Sequence, residues 1–174
     1  MVRHGSNLTS DYSVTVQPAA PEHTRDIILL ERQSSTAAHW SEAEYATLFQ
    51  AEHGREPRLA LVALCDLPQR SSGDAPTVVG FLIAGHVAAE WELENIVVPE
   101  EARGKGIGTL LMQTFLRHAI HLKSESVFLE VRESNLAARG LYKKVGFKET
   151  SRRKSYYTNP LEDAIVYSRD LRKG

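Results

Sequence analysis

One segment in the middle of the chain, residues 95–111, runs from an apolar strand through a glycine-rich turn into an amphipathic helix. Gly104, Gly106 and Gly108 remove side chains from the turn, so backbone N–H groups and the positive end of the helix can approach an anion closely. The segment therefore predicts a strand, a phosphate-binding turn and a helix in direct succession. An ordinary helix start with permissive glycines is the alternative interpretation.

The spacing within this turn separates several kinds of phosphate-binding loop. A P-loop needs Ser or Thr directly after Gly-Lys, but Gly106 follows Lys105. A dinucleotide-binding turn is followed about 20 residues later by an acidic residue, a distance that Glu130 fits only loosely. The remaining pattern, Arg103-x-x-Gly106-x-Gly108, resembles the Gln/Arg-x-x-Gly-x-Gly/Ala signature of the GNAT superfamily of N-acetyltransferases.

A second block downstream makes this resemblance more specific. Residues 129–147 are similar to the family's LEVR-x-SN-x-x-A-x-x-LY-x-x-x-GF stretch, and they follow the glycine turn in the expected order. The tail at 152–164 resembles one branch, the RimI-type ribosomal-protein N-terminal alanine acetyltransferases. The resemblance is close over about residues 90–170, and before that only the segment 40–42 matches this branch.

The resemblance implies that acetyl-CoA is the cosubstrate and that the glycine turn holds the coenzyme A pyrophosphate. The seven histidines are scattered, without a cysteine or carboxylate at ligand spacing, so no metal is expected. Arg103 and Lys105 would add positive charge there, or they are solvated surface charges. Asn135 would contact the coenzyme, cap a helix, or both. The residues expected to bind the coenzyme are Ile96, Val97, Val98, Arg103, Gly104, Lys105, Gly106, Ile107, Gly108, Thr109, Asn135 and Tyr142.

The resemblance also implies two catalytic side chains. Glu130 would be the general base that takes a proton from the substrate ammonium, directly or through water. Tyr142 would be the general acid, or a hydrogen-bond donor, toward the departing sulfur. The bare patterns also fit a strand-end acid paired with Arg132 and a core tyrosine. Because the reference pKa of tyrosine, about 10, exceeds that of a thiol, about 8.5, hydrogen bonding to the sulfur is an alternative to full proton transfer.

The acceptor side is less determined by the sequence. By resemblance, Trp40, Tyr156 and Tyr157 would line the acceptor channel, although these aromatic residues also fit ordinary packing. Glu90, Glu92 and Glu94 alternate along one strand face, and one of them, taken as Glu94, would help to bind a cationic acceptor; a solvated strand face is the alternative. An N-terminal α-amine titrates near 8, against about 10.4 for lysine, and so loses its proton to a carboxylate more easily. We therefore expect acetylation of a protein N-terminus, for example of a ribosomal protein. The alternatives are a small-molecule amine acetyltransferase and a non-catalytic acetyl-CoA-binding module.

Composition limits the other partners and the location. The 174 residues suit one domain, expected at 13–174 after a disordered leader at 1–12. With 21 basic and 22 acidic residues, the net charge of −1 predicts neither a nucleic-acid nor a membrane partner. Cys65 lies among apolar residues, which predicts a buried thiol in a reducing compartment. Since no signal peptide or long apolar run is visible, a cytoplasmic location is expected.

Hydrophobic periodicity predicts a mixed α/β (α+β) fold of the GNAT type. We expect a central, twisted, mostly antiparallel sheet of about seven strands, with about four helices on both faces and one parallel strand-helix-strand crossover at 91–131. A loop at about 66–76 would join two antiparallel strands. The strands are expected at 12–17, 58–65, 77–86, 91–98, 126–132, 147–156 and 162–170, and the helices from Pro21, at 41–51, at 108–122 and from Asn135 to Gly146.

Overall fold

The computed structural model describes residues 13–34, 37, 40–50, 58–66 and 76–172 of the chain. Among these residues, no helix is both long and apolar enough to cross a membrane. The elements in chain order are β1 (Val14–Pro18), α1 (Thr24–Gln33), α2 (Glu42–Ala46), β2 (Leu59–Cys65), β3 (Thr77–Val87), β4 (Glu90–Val97), α3 (Ile107–His121), β5 (Ser126–Arg132), α4 (Leu136–Lys144), β6 (Lys148–Thr158) and β7 (Leu161–Asp170).

All seven strands belong to one sheet, in the order β1-β2-β3-β4-β5-β7-β6. Neighbouring strands are antiparallel except β4 and β5, which are parallel and are connected through α3. This arrangement confirms the predicted mixed sheet with one crossover. The predicted leader at 1–12 and most of the predicted loop, residues 67–75, lie outside the described residues.

Helix α2 is shorter than predicted. It begins after Ser41, whose side chain forms the expected capping box, but it ends at Ala46 rather than near residue 51. The N–H of Leu48 donates to the carbonyl of Tyr45 at 3.2 Å, a three-residue bond that tightens the backbone beyond the α-helical pattern. Both of these side chains are buried in the core, so tertiary packing ends the helix early.

Alternate residues of the central strands pack into two clusters, one on each face of the sheet. In β2, Leu61 belongs to the first cluster and Val62 to the second. Helices α3 and α4 contribute to the first cluster, while α1 and α2 contribute to the second. The helices thus cover both faces, as predicted. Cys65, at the end of β2, is buried as expected.

Strands β4 and β5 pair over only part of their length. Their parallel register ends at Leu93 and Leu129. Beyond these residues, β4 remains paired with β3 as far as Val97, and β5 remains paired with β7 as far as Arg132. The two strands therefore diverge in the middle of the sheet, and a gap opens between them.

A bulge in β4 lies at the start of this gap. Ile83 of β3 faces Asn95 and the next residue, Ala84, faces Leu93, so Glu94 is an extra residue without a partner of its own. Such a bulge changes the face to which the following side chains point. Leu93 accordingly packs in the first cluster, whereas Asn95 is bonded to a side chain of α1 on the opposite face.

The link between α1 and β4 is a buried carboxylate. Oε1 of Glu31 accepts hydrogen bonds from Nδ2 of Asn95 at 3.0 Å and from the backbone N–H of Trp40 at 2.9 Å. Because Glu31 and Asn95 are buried, these hydrogen bonds contribute more than a surface contact would. It holds α1 against the strand that borders the gap.

Candidate active site

The glycine turn after β4 has the backbone conformation that an anion-binding turn requires. Gly104 and Gly106 have φ angles of 75° and 82°, and a Cβ at either position would meet no atom within 4 Å. Glycine is therefore needed because the backbone is left-handed at these positions, and not because a side chain would lack space. Gly106 is the N-cap of α3 and offers no side-chain cap, so the first N–H groups of α3 have no intrahelical acceptor. These donors lie at the positive end of a 15-residue helix.

A cavity of about 320 Å³ opens beside this turn, between the end of β4, the start of α3 and α4. In the same region, Nε of Arg103 donates to the carbonyl of Val98 at 3.1 Å. Lys105 is not among the described residues that line this cavity, and Tyr142 borders a second cavity next to it. Ten of the residues predicted to bind the coenzyme line the first cavity, namely Ile96, Val97, Val98, Arg103, Gly104, Gly106, Ile107, Gly108, Thr109 and Asn135.

A second cavity of about 320 Å³ lies at the gap between β4 and β5. It shares Ile96, Asn135 and Ala138 with the first cavity, so the two are adjacent. The structure therefore brings the two predicted catalytic side chains next to the predicted coenzyme site. The sequence-predicted residues on this second cavity are Glu94, Ile96, Glu130, Asn135, Tyr142, Tyr156 and Tyr157.

Glu130 is held in this cavity by an ion pair. Its side chain is 16% exposed, and Oε1 lies 2.8 Å from Nη1 of Arg153. The alternative prediction, a pair between Glu130 and Arg132, is wrong. Arg132 instead pairs with Glu162 at 3.2 Å, and it also donates to the backbone carbonyl of Asn159 at 3.0 Å. Arg132 also borders the cavity, but these acceptors, and not Glu130, satisfy its guanidinium.

A bulge in β6 brings three side chains to Glu130. From Arg153 to Tyr157, four steps along β6 correspond to only two steps along β7. Within this bulge, Ser155 has a φ of 50°. Hydrogen bonding to Glu130 raises the pKa of Tyr156, while burial and the nearby carboxylate of Glu130 raise the pKa of Tyr157 to about 12. Both tyrosines therefore present protonated hydroxyl groups to the cavity at neutral pH.

Tyr142 lies on the opposite side of the cavity, in α4. It is 5% exposed, and its ring centroid is 6.1 Å from that of Phe147 and 6.0 Å from that of Tyr167. Burial, with a smaller contribution from Tyr157, raises the pKa of Tyr142 well above its ordinary value. The phenol is therefore neutral at physiological pH and suited to donate a hydrogen bond.

Asn135 caps α4, as one of its two predicted roles requires. Its Oδ1 accepts from the backbone N–H of Ala138 at 3.1 Å. The same residue borders both cavities, so capping places it beside any ligand that occupies them. The coenzyme contact stays a prediction.

Trp40 is not among the described residues that line either cavity. Its ring lies 5.5 Å from that of Tyr45 against the second core cluster, and the guanidinium of Arg58 lies 5.1 Å from its centroid. Arg58 in turn pairs with Glu94 of the cavity at 2.7 Å. Trp40 thus contacts the cavity wall indirectly.

Two arginines that matter to this site could not be identified from the sequence. Of the three glutamates that alternate along β4, Glu92 and Glu94 line the second cavity. Arg58 and Arg153 pair with cavity carboxylates over long sequence distances. The alternation in β4 marks Glu92 as a candidate, but no local pattern identifies the two arginines, because strand bulges and pairing bring them to the site.

The class of protein follows from this fold and from comparison with known proteins. Residues 25–147 match the profile of the acetyltransferase (GNAT) family, which covers more than two thirds of the chain. The chain therefore belongs to the GNAT family of acetyltransferases.

Among its relatives, the [ribosomal protein bS18]-alanine N-acetyltransferase of Haemophilus influenzae is 39% identical over 92 residues, which cover 51% of this chain and 62% of that protein. An N-alpha-acetyltransferase of Saccharolobus solfataricus is 33% identical over 144 residues, covering 73% of this chain and 78% of that one. The crystal structure of the ribosomal-protein-S18-alanine N-acetyltransferase from Escherichia coli is 26% identical with a TM-score of 0.72, covering 91% of this chain and 94% of that chain. This chain thus spans less than two thirds of the Haemophilus relative.

Proposed function

We propose that this protein transfers the acetyl group of acetyl-CoA to an amine, and that the amine is the α-amine of a protein N-terminus. One observation carries the proposal. A cavity beside an anion-binding glycine turn adjoins a second cavity that contains a carboxylate and a neutral tyrosine, with Ile96, Asn135 and Ala138 bordering both. Membership of the GNAT family and the names of the relatives support the reaction type.

The first cavity is the proposed site of acetyl-CoA. Its pyrophosphate suits the N–H donors at the start of α3, with Arg103 and Lys105 adding positive charge. The pantetheine arm would follow the end of β4 at residues 96–98, toward the gap where β4 no longer pairs with β5. Backbone N–H and C=O groups of β4 that no longer pair with β5 could form hydrogen bonds with the amide groups of this arm.

The second cavity is the proposed site of reaction. Glu130 takes the proton of the acceptor's ammonium, directly or through water, which makes the nitrogen nucleophilic. The nitrogen then forms a bond to the acetyl carbonyl carbon as the carbon–sulfur bond breaks. Tyr142 donates a hydrogen bond to the departing sulfur. Because its pKa is raised by burial, stabilisation of the thiolate by this hydrogen bond is favoured over full proton transfer.

The proposed acceptor follows from chemistry and from the relatives. An α-amine titrates near 8 and is deprotonated by a carboxylate at lower cost than a lysine near 10.4. The curated relatives act, by name, on the alanine of a ribosomal protein or as N-alpha-acetyltransferases. Glu94, Tyr156 and Tyr157 would form the wall of the acceptor site, with Trp40 supporting it through Arg58. The proposed substrate is therefore a cytoplasmic protein N-terminus, a ribosomal protein being one candidate.

A panel of acceptors tests this proposal. The protein is incubated with acetyl-CoA and with N-terminal hexapeptides, N-blocked lysine peptides and polyamines, and mass spectrometry locates the acetyl group. We expect acetylation of the hexapeptides at the α-amine. Exclusive labelling of lysine or polyamines would replace the proposed acceptor by another amine. Binding of acetyl-CoA without transfer to any of these amines would show a non-catalytic binding module instead.

A further inference from the structure

Three carboxylates line the second cavity, and two of them already have a cationic partner. Glu94 pairs with Arg58 at 2.7 Å, and Glu130 pairs with Arg153 at 2.8 Å. Glu92 also lines the cavity, but its carboxylate makes no ion pair or hydrogen bond within the part of the chain that the structure describes. It is the carboxylate in this cavity that is available to a ligand.

The charges around the cavity point to the kind of ligand. Arg132 also borders the cavity, but it is paired with Glu162. Among the described residues, these ion pairs leave one carboxylate of the cavity without an ion-pair partner, that of Glu92. An ammonium group has one positive charge and three N–H donors. It would compensate Glu92 without displacing either of the existing ion pairs.

The environment of Glu92 makes its ionised carboxylate less favourable than it would be in water. Burial raises its pKa, and the neighbouring carboxylates raise it further, against a smaller opposite effect of the arginines. A cation bound beside Glu92 would lower this raised pKa, because an opposite charge favours the ionised form. Among the described residues, the charged and titratable groups that face Glu92 are Glu94 of β4, Glu130 of β5, Arg153 and Tyr156 of β6, and Arg58 before β2.

We propose that Glu92 binds the acceptor's ammonium group before proton transfer, and that it thereby selects acceptors with a positive charge at the reacting nitrogen. The inference rests on the proposed function, since it assigns the binding step of that reaction. In this proposal the two carboxylates have different roles. Glu92 captures the charged amine, and Glu130 removes the proton on the way to transfer.

Binding of two peptides that differ only in charge tests this role without relying on turnover. The probes are hexaalanine amide, with one ammonium group, and its N-acetylated form, with none. Dissociation constants are measured by calorimetry for the wild type, Glu92→Gln and Glu90→Gln. Glu90 is the matched control, because it lies on the same strand but is exposed and outside the cavity.

We expect the wild type to bind the free-amine peptide more tightly than the acetylated one. Glu92→Gln should weaken binding of the free-amine peptide on the order of tenfold, as for a lost charged hydrogen bond, whereas Glu90→Gln should leave it within about twofold. Glu92→Asp should restore part of the affinity, because it retains the charge. Equal affinities of the wild type and Glu92→Gln for the free-amine peptide, with the melting temperature unchanged, would overturn the inference.

Two further readouts separate binding from catalysis. In steady-state kinetics, Glu92→Gln should raise KM for the acceptor with little change in kcat, while Glu130→Gln should lower kcat. Affinity for the free-amine peptide should fall as pH drops through the raised pKa of Glu92, because the carboxylate becomes protonated. This pH-dependent loss of affinity should be absent in Glu92→Gln. A wild type that binds the peptide in this charge-dependent way but acetylates no amine would refute the proposed function and leave the binding role intact.

Discussion

Glu130 and Tyr142 border the same cavity although they approach it from opposite faces of the sheet. Leu129 and Val131, the neighbours of Glu130 in β5, pack in the core cluster that contains Tyr142, so Glu130 itself points to the other face. The two side chains reach one cavity because β4 and β5 stop pairing after Leu93. The gap in the sheet thus allows an amine on one side to meet an acyl donor on the other.

Tyr142→Phe tests the proposed role of the phenol. We expect kcat to fall by a factor on the order of 10², because stabilisation of the leaving sulfur is lost, with little change in acetyl-CoA affinity. Since burial raises the pKa of Tyr142, wild-type kcat should show no loss from tyrosine ionisation up to about pH 10. Tyr156→Phe is the comparison, because this residue is about half exposed and its hydroxyl bonds to Glu130 on the acceptor side. An unchanged kcat in Tyr142→Phe would remove this residue from the mechanism.

Gly106→Ala tests the glycine turn. The φ of 82° at this position disfavours any side chain by about 1–2 kcal/mol, although a Cβ would meet no atom within 4 Å. We expect lower stability in urea denaturation and weaker acetyl-CoA binding, because relief of the strain would reorient the N–H donors. Gly140→Ala is the stability control. Its Cβ would also meet open space, but in α4, where alanine should stabilise by about 0.5–1 kcal/mol. Equal stabilities of the two variants would contradict the strain argument.

Glu31→Ala tests the buried link between α1 and β4. The substitution leaves Nδ2 of the buried Asn95 and the part-buried N–H of Trp40 without their acceptor, at a cost of about 1–3 kcal/mol for the buried group and less for the other. Urea denaturation should therefore show a loss of about 2 kcal/mol. Arg32→Ala, at the next position of α1, removes only an exposed pair with Glu42 and should cost less than about 1 kcal/mol. Similar losses in both variants would show that the link contributes little.

Asn135 is expected to have two roles that two substitutions can separate. Asn135→Ala removes the acceptor for the N–H of Ala138 and should cost about 1 kcal/mol of stability, whereas Asn135→Ser retains a capping oxygen. If the amide also contacts the coenzyme, as we propose, both variants should weaken acetyl-CoA binding severalfold. Calorimetric binding and thermal unfolding are measured together. Wild-type affinity in Asn135→Ser would leave Asn135 with the capping role alone.

Most elements of the fold were predictable because their signals are local. The apolar stripe of α3, the left-handed Gly146 that ends α4 and the alternation in β5 each depend on residues close in sequence. Helix α2 was predicted too long because its end depends on the burial of Tyr45 and Leu48 in the core, a tertiary contact that no capping pattern records.

The sequence by itself determined the family and the proposed donor side of the site. The glycine turn and the capping asparagine act through contiguous backbone, so their spacing is visible before folding. Only the tertiary structure decided the acceptor side. The bulges in β4 and β6, and the ion pairs of Glu94 with Arg58 and of Glu130 with Arg153, join residues far apart in the chain. Because these long-range pairs engage two of the three cavity carboxylates, it is strand pairing that leaves Glu92 available to an acceptor.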